Sequence, residues 1–268
     1  MRSILMTILL ICPLLVRADL APPTSQASQN PCGGPGSLLA ELDRPTVGDS
    51  ACVVPQSRAI VEFGFADAQG STGTTQNGPQ AELRFGLPGD NEFVLMPPNV
   101  TFAQGSLGGT PRYSPTVMGV KHEWGYTRQW IYTGEVLLTM PATGYTPGTQ
   151  GGLGAAANGI VGWNITHAIA LGLMLGVTSF DDANQRRFTS INPDFTATWL
   201  LDPRLQLYGE IYGQTHTSYH QGPGWDSDGG IQYLLTRHVE VDAEIGQRIS
   251  GALGGYRHYW GIGAGWEF

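Results

Sequence analysis

The chain has 268 residues, of which 38 are Gly, and Asp and Glu outnumber Lys and Arg by 22 to 14, for a net charge of -8. That balance argues against a nucleic-acid partner, and the glycine share is about twice the usual one. Length alone fits one large barrel or two small domains.

Residues 1–18 have the form of a cleaved export signal. Arg2 supplies the positive start, Ile4 to Val16 form an apolar run too short to span a membrane, and Val16-Arg17-Ala18 offers the cleavage site. Cys12 falls inside this signal, leaving Cys32 and Cys52 as an even pair in an oxidising compartment. A disulfide between them is expected, worth roughly 3 kcal/mol in the loop-entropy account. Residues 19–57, rich in Pro, Gly, Ser and Gln, form a short N-terminal periplasmic segment. Two readings of it stand open: Asp43-Arg44-Pro45 folds into a lumen as a constriction, or the segment is a flexible tether.

From residue 58 to 268 no apolar run approaches the roughly 20 residues of a membrane helix. The longest run, around Ala168 to Val177, is about ten residues, the span of a tilted membrane strand, and a chain without such helices crosses hydrocarbon only as a closed barrel. Period-two alternation gives about twelve strands: Arg58–Ala66, Gln80–Leu87, Glu92–Pro97, Thr116–Trp124, Trp130–Met140, Leu153–Ile165, Ala168–Thr178, Asn192–Leu201, Leu205–Thr215, Gly229–Leu235, Val239–Gly246 and Trp260–Phe268. Ile169, Leu171, Leu173, Leu175 and Val177 share one face, opposite Ala170, Gly172, Met174, Gly176 and Thr178.

The connections alternate between short and long. Short turns at 88–91, 125–129, 166–167, 202–204 and 236–238 alternate with long loops at 67–79, 98–115, 141–152, 179–191, 216–228 and 247–259. Short periplasmic turns and longer outer loops are the signature of an all-β, antiparallel up-and-down transmembrane barrel. Trp124, Trp130, Trp163, Trp199, Tyr233, Trp266 and Phe268 gather at the proposed periplasmic ends, as an aromatic girdle should. His122 falls on the outward face with Trp124, so a bulge or an early strand end is expected there.

Alternation points Glu62, Glu82, Arg84, Glu92, Lys121, Glu135, Asp194, Glu210, Glu240, Asp242 and Glu244 into the lumen. Arg84 and Lys121 are expected to pair with some of these acids. The set describes either a hydrated, cation-tolerant path or a satisfied network that plugs the barrel. Twelve strands lie between a filled and an open lumen.

Several stretches resemble a known family, the outer-membrane transporters of the phenol-degradation meta-cleavage pathway. They run in order from Asp43-Arg44-Pro45, Asp49-Ser50 and Val53-Val54-Pro55 through Val61 to Phe65, Leu83 to Leu87, Asn91-Glu92-Phe93 and Gly119-Val120-Lys121. They continue with Leu207 to Gly213, Asp228 to Thr236, Val241-Asp242, Gly261 to Gly265 and Phe268. Glu267 departs from the basic or polar residue expected beside the final aromatic. The resemblance implies a bacterial outer-membrane channel embedded in lipid that passes small, hydrophobic or aromatic solutes. The end at Phe268 also resembles the signal by which barrel-assembly machinery recognises its clients.

Catalysis has one weak candidate, His216-Thr217-Ser218-Tyr219-His220, which lies in a long loop, so neither an enzyme nor an outer-membrane lipase is expected. No nucleotide, zinc or haem motif occurs, and neither cofactor nor metal is expected. A structural or adhesive barrel is the remaining alternative. Sequence assigns no oligomeric state.

Overall fold

A computed structural model describes residues 30–33, 36–71, 73–104, 109, 111–141, 152–182 and 186–268. The expected signal at 1–18, residues 19–29 and much of the Gly-rich stretch at 105–110 lie outside these residues.

One short helix, α1 (Ser37–Glu41), precedes fifteen strand segments. These are β1 (Ala59–Gly70), β2 (Thr74–Gly78), β3 (Glu82–Leu87), β4 (Asn91–Met96), β5 (Val100–Ala103), β6 (Arg112–Tyr113), β7 (Val117–Tyr126) and β8 (Trp130–Thr139), continuing with β9 (Gly154–Asn164), β10 (Ile169–Asp181), β11 (Arg187–Asp202), β12 (Leu205–Gln214), β13 (Gly224–Leu234), β14 (Val239–Ser250) and β15 (Tyr256–Glu267). All pair antiparallel, and β15 returns to β1 with Ile60 opposite Glu267 and Phe65 opposite Ile262, closing a barrel of twelve strands.

Fifteen segments make twelve strands because three strands are broken at prolines. β2 and β3 both pair with β1 and are separated by Pro79; β4 and β5 are separated by Pro97-Pro98; β6 and β7 by Pro115. A proline has no N–H to donate, so the ladder lapses there and resumes beyond it. The sequence reading ended its strands at these prolines and assigned 67–79 and 98–115 wholly to loop. In the structure β1 and β2 are joined by residues 71–73 alone, and β5 and β6 by 104–111. Three of the other outer connections shorten likewise: β11 begins at Arg187, β13 at Gly224 and β15 at Tyr256, leaving 182–186, 215–223 and 251–255 between strands.

Alternation sorts the two faces as expected. Phe63, Val136, Leu173, Leu175, Phe195, Ile211, Ile245 and Ile262 are exposed on the outside of the barrel. An apolar belt of that extent is the surface of a membrane barrel. At one rim Trp130 stacks on Trp163 with ring centres 4.9 Å apart, and Trp266 on Phe268 at 4.4 Å, beside exposed Trp124, Trp199 and Tyr233. The bulge occurs where His122 required it: Glu123 faces Thr133 but Gly125 faces Tyr132. His122 itself contacts Asn91 Oδ1 at 3.0 Å.

The buried apolar groups sit inside the barrel. Leu38, Leu39, Leu42 and Val54 from the N-terminal segment pack on Ile60 and Leu234, and Cys32, Ala51 and Cys52 pack on Ile131 and Ile160. Cys32 and Cys52 are joined by a disulfide, with Cα atoms 5.7 Å apart.

Candidate functional site: the occupied lumen

Asp43 and Arg44 organise the polar contacts between the segment and the wall. Asp43 meets Lys121 Nζ at 3.1 Å and Arg84 Nε at 3.1 Å, while the Ser50 N–H donates to it at 2.6 Å. Arg84 is fully buried and also meets Glu92 at 2.6 Å and Glu62 at 3.1 Å. Its remaining donors reach the main-chain carbonyls of Glu41 and Cys52. One barrel guanidinium therefore binds both side chain and backbone of the segment.

Barrel carboxylates in turn receive the segment's free amides. Glu62 accepts from the Asp43 and Arg44 N–H groups at 3.2 and 2.6 Å, Glu92 from Val54 at 2.6 Å, and Glu210 from Val47 and Gly48 at 2.8 and 2.9 Å. An irregular segment enclosed away from water must find such partners for its backbone. Gln232 donates to the Arg44 carbonyl at 2.9 Å, and the Thr133 hydroxyl donates to the Ala51 carbonyl.

Arg44 reaches over the β1–β15 seam to β14, meeting Asp242 at 3.2 Å and Glu244 at 3.7 Å, and it donates to Gln80 Oε1 at 3.0 Å. Gly64 and Gly263 flank it: a Cβ on either would lie 2.4–2.5 Å from the guanidinium group. Gly265 similarly leaves room for Leu42, and a Cβ on Gly86 would lie 2.0 Å from the Pro55 carbonyl oxygen. These glycines form the seat of the segment. Their role was missed in the sequence, although the every-second-residue spacing of Gly261, Gly263 and Gly265 marks an inner face without side chains.

Glu135 accepts from Asn158 at 2.8 Å and faces Asp49 of the segment. Glu210, besides holding the segment, accepts from the Thr196 hydroxyl at 3.1 Å. Phe268 lies on the outside, its N–H bonded to the Ala59 carbonyl at 2.8 Å across the β1–β15 seam. Asp43, Glu62 and Glu82 each bring one oxygen within 4.8 Å of the others, a spacing a metal could use, but Asp43 and Glu62 already hold Arg84. His220 contacts Arg186, whose guanidinium lies 5.6 Å from the Tyr219 ring centre, while the His216 N–H donates to Ser190 Oγ at 3.2 Å.

Enclosure shapes the segment's own charges. Burial, assisted by the nearby Glu267, pushes the Glu41 carboxyl up to about 8. Burial also raises Asp43, with Arg84 and Lys121 opposing, and raises Asp49 further because Glu135 adds to the effect. Burial opposes the charge on Arg44, but Asp242 and Glu244 more than offset it. Buried acids, including Glu62, Glu82, Glu92, Asp194, Glu240 and Glu244, far outnumber buried Arg84 and Lys121.

Between the segment and the wall of β9–β11 lies a cavity of about 260 Å³, reaching from Thr166 and His167 at the rim to Gly48 and Gly172.

Solved barrels resemble this architecture. An outer membrane channel from Pseudomonas putida F1 superposes with a TM-score of 0.67 over 83% of this chain and 100% of that one, at 11% identity. The NanC porin gives 0.54 over 78% and 98% at 12% identity, and the KdgM porin 0.54 over 77% and 99% at 8% identity. At these identities the likeness is one of fold. No family model and no curated protein matches the chain.

Proposed function

We propose that this protein is a bacterial outer-membrane channel for small solutes, narrowed by its own N-terminal segment, and that it is not an enzyme. The observation carrying this is the occupied lumen: residues 30–57 bond to the inner wall yet leave a cavity of about 260 Å³ that reaches the rim. That is slightly below the roughly 300–1,000 Å³ of pockets for drug-sized ligands, which suits molecules of about one ring. The structural likeness to outer-membrane channels and porins supports the membrane and the channel class. The resemblance to phenol-pathway transporters supports hydrophobic or aromatic solutes, with Glu62, Arg84, Glu92, Lys121, Glu135, Glu210, Asp242 and Glu244 as lumen lining and Asp43 and Arg44 as constriction.

The same dense network favours a second reading, a permanently plugged structural or adhesive barrel. Planar-bilayer recording of the refolded protein separates the two. Stable openings that a small aromatic solute such as benzoate interrupts support the channel. A silent but heat-modifiable barrel refutes it in favour of the plug.

A further inference from the structure

The segment is held unevenly. Its ion pairs and side-chain hydrogen bonds reach β1, β3, β4, β7, β8, β12, β13 and β14 through Glu62, Arg84, Glu92, Lys121, Thr133, Glu210, Gln232 and Asp242. Among the described residues no hydrogen bond or ion pair joins residues 30–57 to β9, β10 or β11. There the contact is van der Waals packing, such as Cys52 and Ala51 against Ile160.

The same three strands carry a slim inner face. A Cβ on Gly172 would meet only Thr196, at 3.6 Å, so the wall stands back from the segment at this level, where the cavity lies; above and beside it Gly162 closes on Ala51 and Asp194 on Gly48. Its lining joins apolar Leu39 and Leu42 to Thr196, Thr198, Gln206 and Gln232.

Resting on the channel reading above, we infer that solutes pass between a seated segment and the β9–β11 wall, and that Gly172 and Thr198 set the width of this path. The segment need not leave the lumen. The eight anchored strands keep it in place while the unanchored side conducts. The lining favours a compact solute with an apolar body and one or two hydrogen-bonding groups.

Phenylalanine at the wall tests this. Gly172→Phe and Thr198→Phe each project a ring into the gap, and each is expected to cut single-channel conductance several-fold while heat modifiability stays that of the wild type. Benzyl alcohol is the probe solute: it should interrupt wild-type current and lose that effect in Gly172→Phe. If a phenylalanine variant fails to fold, Gly172→Cys labelled after folding with a thiosulfonate reagent gives the same reading, because Cys32 and Cys52 are engaged with each other. Wild-type current with unchanged current in the variants overturns the path and leaves the channel standing. A segment that swings out to open a wide lumen gives that result. A silent wild type removes the channel reading and this path with it.

Discussion

Replacing Arg84 with methionine keeps much of the side-chain volume and deletes the charge that Asp43, Glu62 and Glu92 share. It also strips donors from the Glu41 and Cys52 carbonyls. Removing one partner of a buried charge network costs about 3–5 kcal/mol, because the remaining charges stay buried without compensation. Proton uptake by a freed carboxylate trims that figure, so docking of the segment should weaken roughly 100- to 1,000-fold. The barrel ladder itself does not depend on Arg84 side-chain donors, so the loss should fall on the segment. Proteinase K treatment of the folded protein in detergent should leave residues 30–57 intact in the wild type and cut them in Arg84→Met, while the barrel remains heat-modifiable. Equal protection in both proteins would refute the reasoning and show that apolar packing alone holds the segment.

Three further outcomes are expected. Gly86→Ala should destabilise by about 1–3 kcal/mol through overpacking, since its Cβ would lie 2.0 Å from the Pro55 carbonyl oxygen, whereas Gly209→Ala, 4.0 Å from its nearest neighbour, should be close to silent; urea unfolding compares them. Cys32→Ser should lose roughly 3 kcal/mol of loop restraint and expose the segment to protease without lowering the barrel's melting temperature. Glu41 gives a pH dependence: its folded pKa of about 8 lies above its unfolded value, so its contribution is full below about pH 4.5 and is lost as pH rises through 8. Protection of residues 30–57 should therefore fall as pH rises from about 4.5 to about 8, and Glu41→Gln should flatten the profile.

Much of the barrel was legible because its signals are local and repeated. Leu173 and Leu175 outward against Gly172 and Met174 inward fix a face within one strand, and the alternating connections fix the hairpins. The outer ends were not legible at Pro79, Pro97-Pro98 and Pro115, because local rules read a missing donor as the end of a strand. Only the neighbour strand, continuing past the break, shows that pairing resumes. The docking of the N-terminal segment was hidden for a different reason. It has no period, and its partners are remote: Arg44 meets Asp242, 198 positions away, and Gly48 meets Glu210, 162 away. Charge imbalance in the lumen signalled that bases were missing, but not that main-chain amides of residues 43–54 would supply much of the compensation.

The seat of that segment is divided across the β1–β15 seam. Gly64 and Glu62 come from one side, Gly263 and Gly265 from the other, and Arg44 lies over the join. Before the seam closes, half of the seat does not exist. Docking is then a late event in assembly: the segment cannot obstruct strand pairing by settling early, and its arrival reports that the cylinder is complete. A barrel caught with an open seam would carry its N-terminal segment loose, a difference visible to a protease long before any difference in strand content.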